Sequence, residues 1–553
     1  MSYVVGDYLL DRLHELGVTE IFGVPGDFNL QFLDHIVAHP NIEWVGSANE
    51  LNAGYAADGY ARLRGIGAVV TTYGVGELSA ANAIAGSYAE HVPVVHIVGV
   101  PAKDIQANHR VIHHTLGDGD FHHFRRIAAE ITCAQADLGA ADACQEIDRV
   151  LNSVRVHRRP GYLMLATDTA RLEVAPPATP LAPPADFSSA GARVAFAQAA
   201  REFLSGRQVA VLADVFVDRV GATGELRALV RDLPHATLAW GKTVVDESAP
   251  NFVGVYTGAA SPESVRAAVE DAERLVTVGV QYTDSITAGF SHRIDPKRTI
   301  DIGPERTVIG GVDAFAPLSI RAALDILTAL TAEFAAPGPV VHAEDEARPV
   351  TVPPDTPLSQ ALLWPAVAAA LGNNNLVVAD QGSAFFGLAT LRMPTGITFL
   401  GQPLWGSIGY ALPAALGAGL ACRDRRTVLV IGDGAAQLTI QELGTWIRER
   451  LTGVIILVDN SGYAIERAIH GPEAPYNDIA SWRWIFLPHA FGGDDKSVLT
   501  LRATTFGELQ DCLKAATAEQ NRLVFLQVVT GKTDYPPLVS DIAAALTRAN
   551  SRS

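Results

Sequence analysis

Cysteine is scarce in this chain. Cys133, Cys144, Cys422 and Cys512 are the only four among 553 residues, and no two stand at CxxC or zinc-ligand spacing. That excludes a disulfide framework and a cysteine-built metal module, and it fits thiols kept in a reducing compartment. Positive charge is also short. Lys and Arg number 42 against 60 Asp and Glu, a net charge of −18, which disfavours nucleic acid or an anionic membrane as partner. No apolar run approaches the roughly 20 residues of a membrane span. The first residues, MSYVVGDYLLDRLHELG, read as an amphipathic helix with acidic residues and not as a signal or transit peptide. Charged residues make up only 18% against 48% hydrophobic, which excludes a disordered chain. There is no GxGxxG turn after a first strand with an acidic residue downstream, which ranks a nicotinamide-dependent dehydrogenase or nucleotide-binding regulator low. These absences leave a soluble cytoplasmic enzyme as the expectation.

Proline marks the divisions. Residues 174–187 (VAPPATPLAPPADF) and 335–357 (AAPGPVVHAEDEARPVTVPPDTP) lack periodicity and read as connectors. They divide the chain into 1–173, 188–334 and 358–553, in keeping with about 150 residues per domain. Each piece alternates short Val/Ile-rich runs (Ala68–Thr72, Val94–Val98, Val209–Ala213, Leu275–Val278) with Ala/Leu-rich helical stretches. That alternation predicts α/β folding, with doubly wound parallel sheets covered by helices.

The first and third pieces echo each other. Gly54-Tyr55-Ala56 opens an Ala-rich helix, followed by AVVTTYGVGE, a second helix and PVVHIVG; Gly409-Tyr410-Ala411 opens another, followed by TVLVIGDGA, a second helix and VIILVDN. Gly74-Val75-Gly76 therefore stands where Gly432-Asp433-Gly434 stands, with valine in place of the aspartate. Any two α/β domains share some likeness, but the ordered agreement of three elements favours duplication of one fold.

Around the third-piece motif, Thr427–Ile431 reads as a strand, Leu438–Arg450 as a helix and Val454–Val458 as the next strand, which runs into Asp459-Asn460-Ser461-Gly462. In such a βαβ unit both polar tips lie at the carboxyl ends of neighbouring parallel strands, where open α/β sheets bind ligands. An Asp carboxylate, an Asn amide oxygen and a loop carbonyl are hard ligands too few to fill a shell alone. They suit Mg²⁺ that completes its shell with water and phosphate oxygens. The glycines let backbone N–H groups approach a phosphate at a helix start. Glu50, between the strand-like Ile42–Ser47 and the helix Leu51–Leu63, is by itself an ordinary first-turn glutamate.

GVPGDFNL (23–30), SANELNAGYAADGYAR (47–62), HHTLGDGDF (113–121), QPLWGSIGY (402–410), GDG with Asn460, and GYAIE (462–466) together resemble the thiamine-diphosphate-dependent 2-oxo acid decarboxylases, which include pyruvate, indolepyruvate and branched-chain enzymes. The likeness spans all three pieces in order, and the 27-residue interval from Asp433 to Asn460 agrees with the family's metal signature. It implies a pyrimidine-binding domain at 1–173, a central α/β domain at 188–334 and a diphosphate- and Mg²⁺-binding domain at 358–553, the first and third of one fold. The resemblance further implies Mg²⁺ on Asp433, Asn460 and the Gly462 carbonyl, and the diphosphate near Ser383, Gly434 and Ala435. Glu50 would hydrogen-bond the cofactor's pyrimidine nitrogen. Ile408 would wedge the two cofactor rings together, the Gly406 carbonyl would accept from the exocyclic amine, and Ile465 would border both cofactor and substrate.

Asp27, His113, His114 and Glu466 match the family's proton-handling groups, with Glu466 toward the substrate carboxylate. A second doublet, His122-His123, and a second Gly-Asp-Gly at 117–119 lack the context: neither follows a strand, and 27 residues beyond Asp118 stands Gln145. Ser285, Gln381, Phe385, Phe386 and Ile465 resemble the substrate pocket of the branched-chain and aromatic decarboxylases, although paired phenylalanines are more commonly core. The chain departs from the family pattern at Asp459 (usually Asn), Ala435 (usually Ser) and Asp380 (usually Glu). The middle piece has no cysteine, which argues against thiol-based activation there. The expected reaction is non-oxidative decarboxylation of a 2-oxo acid to an aldehyde and CO₂ through a thiamine-bound enamine, for a branched-chain or aromatic acid more than for pyruvate alone. The alternative is a carboligase of the acetolactate synthase type, against which the histidine pair and Glu466 speak. The resemblance also implies a homodimer as minimum active unit, a homotetramer as the assembled form, and a helix beyond Pro537 over the site.

Overall fold

The computed structural model describes residues 2–338, 340 and 351–550, the last six by their backbone only, so the second connector lies partly outside the described residues. The first sheet contains β1 (Glu20–Gly23), β2 (Glu43–Gly46), β3 (Gly67–Thr72), β4 (Val94–Val100), β5 (Ala134–Asp137) and β6 (Gly161–Ala166). The middle sheet contains β7 (Val209–Ala213), β8 (His235–Thr237), β9 (Phe252–Val255), β10 (Arg274–Val278), β11 (Thr299–Ile302), β12 (Thr307–Ile309) and β13 (Asp313–Phe315). The third contains β14 (Leu376–Ala379), β15 (Thr398–Leu400), β16 (Thr427–Gly432), β17 (Val454–Asp459), β18 (Val498–Ala503) and β19 (Leu523–Val529).

All pairings in the first and third sheets are parallel. Helices cover both faces, which is why β3 and β4 are buried along their whole length and read as continuous apolar runs. The orders are β2-β1-β3-β4-β6-β5 and β15-β14-β16-β17-β19-β18. Subtracting 13 from each strand number of the third sheet reproduces the first, so the sequence echo is a shared topology. The middle sheet, β13-β12-β11-β10-β7-β8-β9, is parallel except where β12 and β13 add antiparallel strands at one edge.

One helix pair joins the two like domains: Glu50–Arg64, between β2 and β3, crosses Ala411–Ala421, between β15 and β16. Backbone meets backbone at the crossing. A Cβ on Gly59 would lie 2.0 Å from the Ala414 carbonyl oxygen, and one on Gly417 1.8 Å from that of Ala56. Beside it, buried Asp58 accepts from Arg62 Nε (2.7 Å), Tyr410 Oη (2.6 Å) and Ser87 Oγ (2.8 Å), so the seam is polar but fully paired at that carboxylate. This seam fixes the two like domains of one chain against each other.

Gly417→Ala forces a methyl group against backbone that cannot step aside, and should cost about 1–3 kcal/mol. A urea midpoint equal to that of the parent would show that the seam can open at no cost.

Candidate active site

At the third domain's carboxyl edge, β16 ends at Gly432 and a helix starts at once, Asp433–Thr439. The expected helix Leu438–Arg450 is instead this short helix, a 3₁₀ turn at Ile440–Glu442 and a second helix Leu443–Arg448. The early start places Asp433 in the first turn, where the helix N-terminus favours a carboxylate. Asp433 Oδ1 accepts from Gly434 N (2.7 Å) and Oδ2 from the amides of Asn460 (3.1 Å) and Gly462 (3.3 Å). The Asn460 side-chain oxygen faces Asp433 Oδ1 at 3.1 Å and the Gly462 carbonyl oxygen at 2.8 Å; only the reversed amide would donate to both. With its N–H₂ turned inward the amide bonds both neighbours, and with its oxygen inward the three groups offer a small hard cation an all-oxygen donor set. Burial, and next the neighbouring Asp459, hold the Asp433 carboxyl well above the usual range. Asp459 itself accepts from Gln527 Nε2 (2.6 Å). The Tyr463 ring lies over Gly434, where a Cβ would come within 2.6 Å of it, a neighbour that the motif did not announce.

The adjoining loops are held by backbone capture. Asp380, buried and pushed up to about 7 by desolvation, accepts from Gly409 N (3.1 Å) and Ala411 N (2.9 Å), and so fixes the loop carrying Gly406 and Ile408. The Ala435 carbonyl borders Gly409 from the other side. Ser383 opens the helix Ser383–Ala389, and Ile465 lies 3.6 Å from the position a Cβ on Gly382 would occupy. Gln381 has a buried Oε1 with no hydrogen-bond partner. Glu466 is exposed on the helix Ala464–Ile469, and the carboxyl-terminal helix Pro537–Asn550 packs on that helix and on Ser383–Ala389. Ser285 reaches this region from the middle domain, its Oγ 3.3 Å from the Pro403 carbonyl oxygen. Phe385 and Phe386 are 1% and 5% exposed, and Phe385 packs on Phe399, so both rings sit in the core.

At the first domain's carboxyl edge, Glu50 begins its helix behind Asn49, whose side chain caps Asn52 N at 2.8 Å. A Cβ on Gly76 would lie 3.0 Å from Glu50 Oε1. Asp27 Oδ2 pairs with His113 Nε2 at 2.7 Å, and its Oδ1 lies 4.0 Å from His114 Nε2. Phe28 stacks on the His113 ring at 5.0 Å. His123 pairs instead with Asp118 of its own exposed loop (2.6 Å), and His122 with Asp137 at the end of β5 (3.4 Å).

One hub escaped the sequence. Glu90, fully buried at the end of the helix Val75–Ala89, accepts from Trp240 Nε1 of the middle domain (2.7 Å) and from the amides of Leu404 (3.0 Å) and Trp405 (3.2 Å) in the third. Its carbonyl accepts from Arg219 Nε (2.9 Å), and Arg62 stands 3.7 Å from its carboxylate. One carboxylate therefore ties all three domains to the backbone just before Gly406. No local pattern marks Glu90, because its partners come from other domains.

Family models match the chain in three stretches: thiamine pyrophosphate enzyme N-terminal TPP-binding domain at 4–123, central domain at 196–330, and C-terminal TPP-binding domain at 380–528. Proteins named alpha-keto-acid decarboxylase in Mycobacterium ulcerans and Mycobacterium leprae are 58% and 56% identical, covering 98% and 99% of this chain and 96% and 95% of their own lengths. In architecture the chain is similar to a thiamine diphosphate-dependent 4-hydroxybenzoylformate decarboxylase of Rhodococcus jostii, with TM-score 0.77, 21% identity, and coverage of 96% of this chain and 99% of that one.

Because the raised Asp433 carboxyl must ionise to hold a cation, a proton competes with the metal. Calorimetric titration of the metal-free protein with Mg²⁺ should show affinity rising with pH across the neutral range, by up to about tenfold per unit below the carboxyl's pKa. Equal affinity at acid and alkaline pH would contradict Asp433 as ligand.

Proposed function

The chain belongs to the thiamine-diphosphate-dependent 2-oxo acid decarboxylases, and we propose that it converts a branched-chain or aromatic 2-oxo acid, in preference to pyruvate alone, into an aldehyde and CO₂ with Mg²⁺ as its metal. One observation carries the reading. Glu50 and His114 abut a single turn, Glu50 at Gly76 and His114 at Gly74, so groups suited to hold and deliver protons face one edge of the first sheet.

When bound, thiamine diphosphate supplies the nucleophilic carbon and the electron sink that scission of a 2-oxo acid requires. Asp433, Asn460 and the Gly462 carbonyl would hold Mg²⁺, and the backbone near Ser383, Gly434 and Ala435 would face the diphosphate. Glu50 would keep a proton at the pyrimidine nitrogen; the Gly406 carbonyl would accept from the amine beside it, and Ile408 would prop the rings. Glu466 would meet the substrate carboxylate, and Asp27 with His113 and His114 would deliver the proton that completes the aldehyde. The substrate class is supported by the apolar surroundings of Gly382, where Ile465 stands and Phe385 and Phe386 form the wall behind. Ser285 and Gln381 would supply its polar edge.

The reading places the active unit in a homodimer, assembled further into a homotetramer, in the cytoplasm. Large apolar side chains stand exposed beside both motifs, Val75 and Leu78 in the first domain and Leu404, Trp405 and Leu438 in the third, which supports burial against a second copy. No helix among the described residues is long and apolar enough to cross a membrane.

Glu50→Gln should lower kcat about 10²–10⁴-fold while Mg²⁺ binding survives; full turnover would end the reading of Glu50. With the parent enzyme, kcat/KM for 2-oxoisovalerate, phenylpyruvate or indolepyruvate should exceed that for pyruvate, and a clear preference for pyruvate would overturn the substrate class.

A further inference from the structure

The turn at the tip of β3 has the sequence Gly74-Val75-Gly76-Glu77, and its topological sibling at the tip of β16 is Gly432-Asp433-Gly434-Ala435. The two turns differ in where the acid sits and in backbone shape. In the third domain the acid is second and aims at the metal site. In the first it is fourth and turns inward, where Glu77 is 4% exposed. Gly432 is extended (φ −75°), whereas Gly74 is left-handed (φ +67°). The same fold thus builds this tip with alanine at the fourth position, so packing alone does not require an acid there.

Glu77 holds the left-handed turn. Its Oε1 accepts from Gly74 N at 2.8 Å and its Oε2 from Tyr162 Oη at 2.6 Å, and neither partner is a cation. A buried carboxyl with only neutral partners is costly to keep, and desolvation pushes it up to about 7. The catalytic groups lie directly on the turn it secures. A Cβ on Gly74 would stand 2.1 Å from the His114 carbonyl oxygen, and His114 itself has a left-handed backbone (φ +62°). Gly76 opens the space into which Glu50 Oε1 projects, and Thr72, just before the turn, fills the space beside Gly26, next to Asp27.

We infer that Glu77 is a positioning residue: through Gly74 and Tyr162 it fixes the turn that sets Glu50, His114 and the Asp27 loop relative to one another. The inference deepens the proposed function and rests on the roles given there to those three residues. Misplacement by a fraction of an ångström is expected to slow proton transfer without altering substrate affinity to the same degree.

The test compares Glu77→Ala, which copies the sibling turn, with Glu77→Gln, which keeps an oxygen for Gly74 N. With saturating thiamine diphosphate and Mg²⁺, Glu77→Ala should lose about tenfold or more in kcat, with KM for the 2-oxo acid changed less than about threefold. Glu77→Gln should recover most of the loss. In the apoprotein, hydrogen–deuterium exchange should quicken in Glu77→Ala at residues 110–118 and 47–53, and stay at parent rates in Glu77→Gln. A folded Glu77→Ala with kcat within about twofold of the parent, or with unchanged exchange in both segments, would overturn the inference. Should that variant not fold, Tyr162→Phe removes only the hydroxyl on Oε2; it should show the same exchange signature with a smaller loss of kcat, and parent behaviour in both readouts would count against the inference. Absence of decarboxylation by the parent itself would sink the functional reading instead, and the exchange measurement would still decide whether Glu77 holds the turn.

Discussion

Oxygen atoms that face one another away from water need a positive charge between them or a hydrogen to share. At the tip of β16, the Asn460 side-chain amide lies 3.1 Å from Asp433 Oδ1 and 2.8 Å from the Gly462 carbonyl oxygen, so either the amide's hydrogens or a cation must serve those oxygens. The arrangement depends on a parallel βαβ unit, because only there do two successive strand ends open on one side of a sheet. It also depends on the helix starting at Asp433 rather than later, so that the carboxylate enters the first turn and its neighbours' amides can reach it. In the proposed function a divalent cation would take that place and would supply the grip on a diphosphate. Asp459 adds negative charge beside it, a departure from the family pattern that the Gln527 amide steadies.

The same topology, used twice, carries two different turns at its strand tips. With valine at position 75, the first domain has no ligand at its sibling tip, and its glycines serve close approach instead: Gly74 to His114 and Gly76 to Glu50. In the proposed function, ligand grip and proton handling fall to separate copies of one fold. The two copies are locked by a glycine-mediated helix crossing at Gly59 and Gly417, and by Glu90, which reaches the loop that bears Gly406 and Ile408. Rigid seams of this kind keep each domain's loops in a fixed place for whatever partner they meet.

Much of this was legible in the chain itself. The duplication could be read because parallel strands buried on both faces leave continuous apolar runs, and because each run ends in glycines. The strand-tip placement of Asp433 and Asn460 could be read because both follow apolar strands, 27 residues apart. The break in the helix after Asp433 could not, since Ile440–Glu442 carries no proline or glycine and its 3₁₀ turn follows from tertiary packing. Glu90, Trp240, Tyr463 and Glu77 were silent because each acquires its role from partners distant in sequence. Phe385 and Phe386, read by resemblance as pocket residues, are buried in the third domain, with Phe385 against Phe399.

A site divided between two copies of a fold raises the question of whether the copies that cooperate belong to one chain or to two. The exposed apolar side chains beside both motifs favour two. Mixing Glu50→Gln chains with Asp433→Ala chains decides it most directly. Neither variant alone is active in this account, but after random re-pairing half of the dimers are mixed, and each mixed dimer regains one intact site from the two unmutated halves. Recovery of about one quarter of parent activity is expected. No recovery from subunits shown to have exchanged would place both halves of the site in a single chain and contradict it.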